Sequence, residues 1–310
     1  MRRYVTTIIG MLALLLALGA GISARGLDQC PLTDRKVCGL FHFQAAKLDA
    51  APAHIGILLL GDSALGNAVD AAALAKLSGK STLNLALTGA LMGLPAIDAQ
   101  LETALKRHQV DNVVIMLSPE SYRHGFEHAA EGYVLATGSD PGAWLAVSPS
   151  VAFGATAALV PMLFDDRVFA QGLHRTLAGA TDPGDCPGCA AWDYAPQNPS
   201  GTLNPDEIRR WSKPYDDYDI FLKRIGDACR KAGATCLYSH GPILKEALDL
   251  NPDYVPAIDA KVTKAGLALV DPQPMILPRE EAGDAMNHVR PDLRPEYTAR
   301  FYRLLAPLLR

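Results

Sequence analysis

Residues 54–63 read His54-Ile55-Gly56-Ile57-Leu58-Leu59-Leu60-Gly61-Asp62-Ser63, a nearly continuous apolar run stopped by Gly-Asp-Ser. A short run of this kind, bounded by a turn signal, is a strand buried on both faces. Residues 71–77 follow with helical composition, and residues 81–87 form a second strand candidate closed by Thr88-Gly89. Residues 91–108 carry apolar side chains at helical spacing. Asn112-Val113-Val114-Ile115-Met116-Leu117 is a third buried strand, ended by Ser118-Pro119. Strand, helix, strand, helix, strand predicts a parallel sheet with right-handed crossovers. The rhythm breaks over residues 120–212, which hold a helical stretch (148–178) and a turn-rich segment (181–205) and read as a cap-like insertion. It resumes with a helix over 215–231, a strand over 234–239, a helix over 252–265, a strand over 267–270 and a last helix over 295–309. The expected fold is α/β: a flavodoxin-like three-layer α/β/α sandwich with a five-stranded parallel sheet and a helical insertion. Ligands of such sheets bind outside the carboxyl ends of the strands.

The 310 residues are 49% hydrophobic and 20% charged, with a net charge of −4, which excludes a disordered chain and a polytopic membrane protein. The basic residues are dispersed, so no nucleic-acid partner is expected. Arg2 and Arg3 precede a charge-free apolar run from Val5 to Ile22. That pattern is an export signal, either cleaved after Ala24 or kept as an anchor in the inner membrane. Residues 1–24 are accordingly read as signal peptide or N-terminal anchor, 25–52 as a linker and 53–310 as the α/β domain. The two arginines stay inside, placing the rest in the periplasm or another extracytoplasmic space. Six cysteines fall into three close pairs, Cys30 with Cys38, Cys186 with Cys189 and Cys229 with Cys236, which suits an oxidising compartment. The pairing stays open.

The residues able to do chemistry sit at predicted strand ends. Ser63 beside Gly61 can present its hydroxyl above the sheet while neighbouring N–H groups point at an oxyanion. A serine hydroxyl needs a base to take its proton. His288, in Asp284-Ala285-Met286-Asn287-His288 just before the last helix, is the candidate, and Asp284 could orient its imidazole. Asp62, His240 at the end of the fourth strand and Asp271 at the end of the fifth are possible pocket residues.

Taken in order, Gly61-Asp62-Ser63 after the first strand, Asn84-Leu85-Ala86-Leu87-Thr88-Gly89 after the second, and Asp284 and His288 before the final helix resemble the SGNH (GDSL-like) hydrolase superfamily. With its N-terminal segment the chain is similar to an exported branch that includes SGNH-like proteins of alginate O-acetylation and teichoic-acid D-alanylation. The resemblance covers residues 54–310, with 120–212 the least matched part. It implies Ser63 as nucleophile, His288 as base and Asp284 as the acid that orients it. It also implies the Ser63 and Gly89 N–H groups as oxyanion donors, and no cofactor or metal. The implied activity is that of a serine esterase or O-acyltransferase acting on small acyl esters of an exported polysaccharide. A membrane-bound O-acyltransferase is the implied partner. A catalytically degenerate scaffold that binds glycan or recruits such a partner is the alternative. Two departures bear on this. Where the family has Asn after the third strand, this chain has Leu117-Ser118-Pro119-Glu120-Ser121, leaving Ser118 as the replacement oxyanion donor. The usual Asp-x-x-His is here Asp284-x-x-x-His288, which keeps Asp271 in reserve as the acid.

Other patterns compete. His124-Gly125-Phe126-Glu127-His128 matches H-x-x-E-H, a zinc-protease pattern that needs both histidines on one helical face. Cys186-Pro187-Gly188-Cys189 has redox-pair spacing but lies in a Pro- and Gly-rich loop. Tyr122, Trp192, Tyr194 and Trp211 could stack on sugars or pack the insertion.

Overall fold

A computed structural model describes residues 10–11, 13–14, 16–22, 35–87, 93–138, 141–163, 169–170, 173, 203 and 208–310. In chain order the elements are α1 (Arg35–Asp49), β1 (His54–Gly61), α2 (Ser63–Ala68), α3 (Ala71–Ser78), β2 (Thr82–Asn84), α4 (Leu94–Arg107) and β3 (Gln109–Leu117). The insertion follows, with α5 (Phe126–Thr137), α6 (Pro141–Val147) and α7 (Pro149–Leu163). Then come α8 (Asp219–Ala232), β4 (Thr235–His240), β5 (Ile243–Leu244), α9 (Lys245–Leu250), α10 (Tyr254–Lys264), β6 (Ala268–Leu269), β7 (Ile276–Leu277) and α11 (Arg294–Leu305).

Five strands form one parallel sheet in the order β2-β1-β3-β4-β6. This is the expected three-layer sandwich, with helices on both faces. Alternate strand residues feed two separate cores. Leu58, Leu60, Val113, Ile115 and Tyr238 pack with α4, α5, α8 and α10. Ile57, Leu59, Val114, Met116 and Leu237 pack with α2, α3 and α11. Burial on both faces is why β1 and β3 read as unbroken apolar runs. Two-residue strands β5 and β7, which periodicity does not reveal, pair in parallel as a small second sheet.

Three expectations need correction. The linker assigned to 25–52 is helix from Arg35 to Asp49, and this helix belongs to the fold. Leu40 and Leu48 are buried, and Gln44 Nε2 donates to Ala86 O at 2.7 Å. Lys47 Nζ donates to Asn84 O, so α1 covers the outer edge of β2. Secondly, the strand expected over 81–87 is regular only from Thr82 to Asn84. Residues Leu85 and Leu87 still donate to Leu59 O and Gly61 O, so the pairing continues irregularly. Thirdly, the fifth strand is two residues, not four. The described helices of the insertion share the sheet's own core: Tyr133, Val134, Trp144 and Val151 are buried in it. They extend the helical layer beside α4.

One disulfide is present among the described residues, Cys229–Cys236, joining the end of α8 to the start of β4. Between them Gly233 turns the chain at φ +71°, the left-handed conformation glycine adopts without a Cβ penalty. The other two suggested pairs involve Cys30, Cys38, Cys186 and Cys189, whose side chains lie outside the described residues.

Candidate active site

β1 brings the chain to the carboxyl edge of the sheet and stops at Gly61. A Cβ there would lie 2.0 Å from Met116 O, so only glycine allows β1 to run this close to β3. Asp62 then caps α2: its Oδ1 accepts from Ala64 N at 2.9 Å. Its other oxygen accepts from Ser118 N at 2.9 Å and from Ser121 Oγ at 2.6 Å. Burial pushes this carboxyl above its ordinary value, opposed by the three hydrogen bonds and by His288. Asp62 is therefore a buried clamp between the start of α2 and the chain after β3, not an open pocket residue. It fixes Ser63, the first residue of α2, whose own N–H has no helical carbonyl to reach.

His288 arrives from the far end of the sequence on a closed loop. Ala282 and Val289 bridge in antiparallel fashion, Gly283 N donates to His288 O at 2.7 Å, and His288 N donates to Ala285 O. Leu244 N donates to Met286 O and Met286 is fully buried, which seats the loop against β5. The hairpin folds Asp284 back beside His288, and so absorbs the additional residue in Asp284-x-x-x-His288. His288 Nε2 is 2.8 Å from Ser63 Oγ, and His288 Nδ1 is 2.7 Å from Asp284 Oδ1. Burial pushes the Asp284 carboxyl up, but the hydrogen bond and charge of His288 outweigh it and hold it below its ordinary value. An ionised Asp284 can only accept, so Nδ1–H donates to it, and in the neutral ring Nε2 then faces Ser63 Oγ as the acceptor. Ser63 is only half-buried, so its hydroxyl is reachable.

The remaining candidates are placed elsewhere. Ser118 does not act as the replacement oxyanion donor, because its N–H is committed to Asp62 and its fully buried Oγ meets no partner among the described residues. Asp271 is not beside His288; its Oδ1 accepts from Gln273 N in a local turn. His240 is buried with Nε2 2.7 Å from Asp259 Oδ1, and its ring meets the edge of Tyr238. It is a structural pair at the end of β4, not a pocket wall. Gly89 lies in 88–92, outside the described residues, as do Trp192 and Tyr194. Tyr122 is fully buried against Tyr218, and Trp211 packs on Tyr254, so both fill the core.

The H-x-x-E-H pattern does not form a helical face. His124 precedes Gly125, the N-cap of α5, and sits 2.9 Å from Arg123 Nε. No group of three His, Cys, Asp or Glu side chains among the described residues could hold a metal ion.

Sequence reasoning missed Ser121 and Asn287. Ser121 anchors Asp62 from the short helical turn after β3. Asn287, 3% exposed and adjacent to His288, donates to Glu120 Oε1 at 3.3 Å and so ties the histidine loop to that same turn. The clustering of polar residues after Ser118-Pro119 was the available signal.

No protein-family model, no curated protein and no solved structure matches this chain.

Proposed function

We propose that the protein is an exported serine esterase or O-acyltransferase of the SGNH type, acting on small, acetyl-like esters of an extracytoplasmic polysaccharide. One observation carries the reading: Ser63 Oγ, His288 and Asp284 form a continuous hydrogen-bonded relay at the carboxyl edge of a parallel sheet. In the proposed cycle Ser63 Oγ attacks the acyl carbonyl as its proton passes to His288 Nε2. Asp284 stabilises the imidazolium. The leaving alkoxide takes that proton back, giving an acyl-Ser63 intermediate. Water or a sugar hydroxyl then attacks, its proton again passing through His288. Ser63 N–H is the oxyanion donor available in the described residues, with Gly89 N–H the second by resemblance. The residues acting in this cycle need no cofactor.

Location outside the cytoplasm is supported by Arg2, Arg3 and the apolar run that follows, and by the Cys229–Cys236 disulfide. A membrane-bound O-acyltransferase as donor partner rests on resemblance. No helix among the described residues is long and apolar enough to cross a membrane.

The second reading is a scaffold with a weakened or lost site. The commitment of Ser118 N–H to Asp62 favours it, because loss of one oxyanion donor costs about 10²–10³ in rate. A fluorophosphonate probe separates the two. Labelling that disappears in Ser63→Ala, with parallel loss of activity on a chromogenic acetyl ester and on acetylated polymer, supports the enzyme. Equal activity of the variant and the parent on both substrates removes it.

A further inference from the structure

The insertion carries a surface that the Ser63 chemistry does not use. From Pro141 to Phe164 the chain has no charged residue. One side of α7 is buried on the core through Val151, Ala152, Ala155 and Leu159. The opposite side faces outward and is apolar as well: Phe153 is 79% exposed, Leu145 of α6 58% and Val160 45%. Pro149, Ala157 and Pro161 lie exposed between them. Even the exposed Thr156 hydroxyl is spent on Ala152 O at 2.7 Å, one turn back. A helix largely apolar all round, with Ser150 and Thr156 its exposed polar residues, and bare on one side among the described residues, is the pattern of a surface covered by something apolar.

Beside Phe153 a cleft of about 750 Å³ opens between α5, α7 and α8. Phe126, Val151, Ala157 and Ile220 line it, and Glu127, Asp216 and Asp217 are its acidic members. We infer that α6 and α7 form a membrane-surface contact, with Leu145, Phe153 and Val160 entering the outer part of a lipid bilayer.

The bilayer is favoured over a second copy by the position of the N-terminal segment. The apolar run ending at Ile22 is joined through residues 23–34 to α1. Phe41 of α1 and Leu135 and Ala136 of α5 pack on the same buried pair, Leu87 and Ala96. Through Phe41, α1 therefore lies beside α5, although Leu40 reaches the core on the other face, and α5 carries α7. Twelve residues reach at most about 40 Å when extended, which keeps this part of the fold near any membrane that holds the run. The 15-residue α7 is about 22 Å long, shorter than the hydrocarbon core, so it lies on the bilayer and does not span it. An uncharged face with acidic groups nearby takes its affinity from apolar burial and gains nothing from anionic lipid. This inference does not depend on Ser63 being a nucleophile.

The test uses the full chain in phosphatidylcholine vesicles that contain a photoactivatable phosphatidylcholine analogue. After irradiation, labelled peptides are mapped. The expected result is labelling within 141–163. A triple variant, Leu145→Asp, Phe153→Asp and Val160→Asp, should lower that labelling about tenfold, since each carboxylate opposes entry into lipid. Its unfolding midpoint should match the parent, because all three side chains are exposed. Exchanging part of the phosphatidylcholine for phosphatidylglycerol should not raise the labelling. Labelling confined to 5–22 overturns the inference, as does equal labelling of 141–163 in the variant. Crosslinks between copies at residue 153 without lipid labelling would make this face a self-interface and overturn it too.

Discussion

His288 Nε2 lies 2.8 Å from Ser63 Oγ although the two residues are 225 positions apart. Between them run the whole insertion and four of the five sheet strands. Their meeting depends on two local devices, the Asp62 clamp at one end and the Ala282–Val289 hairpin at the other.

If the relay does chemistry, its members should fail unequally. His288→Ala removes the base and should lower kcat/KM on an acetyl ester by roughly 10²–10⁴-fold. Asp284→Asn leaves an imidazole in place but unorients it, so its loss should be substantial yet no greater. Steady-state kinetics on both variants decide this. An Asp271→Asn variant serves as the control and should behave as the parent, since its carboxylate serves only a local turn.

The clamp predicts a stability effect separate from catalysis. Asp62→Asn presents an amide N–H₂ either to Ser118 N–H and Ser121 or to Ala64 N–H, leaving donors facing donors in a buried site. The expected cost is about 1–3 kcal/mol, read as a lower urea midpoint. A midpoint equal to the parent's would mean the carboxylate does not hold Ser63 in place.

Asp284 also sets a pH dependence. Its carboxyl is held below its ordinary value of 3.8 in the folded chain, so the unfolded chain binds the proton more readily. Stability from this group is present above 3.8 and is lost as pH falls through the lower folded value. The difference in unfolding free energy between the parent and Asp284→Asn should shrink as pH falls below about 4. A difference that stays constant through that range would contradict the Asp284–His288 contact.

The Cys229–Cys236 bond closes a short loop, with a separation of 7 in sequence. By loop-closure entropy such a link is worth about 2.5 kcal/mol. Paired Cys229→Ala and Cys236→Ala should lower the unfolding midpoint accordingly, with the Ser63 site unaffected in probe labelling. No change in midpoint would show that the thiols are unlinked in solution.

The long strands were legible in the sequence because β1 and β3 are buried on both faces and so carry unbroken apolar runs. The edge strands were overextended for a related reason. Leu85 and Leu87 are as buried as strand residues, yet they follow an irregular path that burial alone cannot announce. Helix α1 was passed over because it follows an anchor-like segment; its buried Leu40, Gln44 and Leu48 sit four residues apart, a spacing open to view. Ser63, His288 and Asp284 were visible as residue types at loop positions. Ser118 misled because its side chain suggested a donor, whereas the group that matters is its backbone N–H, and main-chain bonding leaves no mark on the choice of residue. Asp62 looked like a pocket wall for the same reason: its three donors come from residues 64, 118 and 121, two of them distant in sequence.

α1 shows what trimming would do. A chain begun at residue 53 would lack the Gln44 and Lys47 side chains that now engage the carbonyls of Ala86 and Asn84. The margin of β2 would then present unsatisfied main-chain groups, a template on which neighbouring molecules can add strands and precipitate. Those fifteen residues act as a molecular hem, and a soluble preparation has to begin upstream of Arg35.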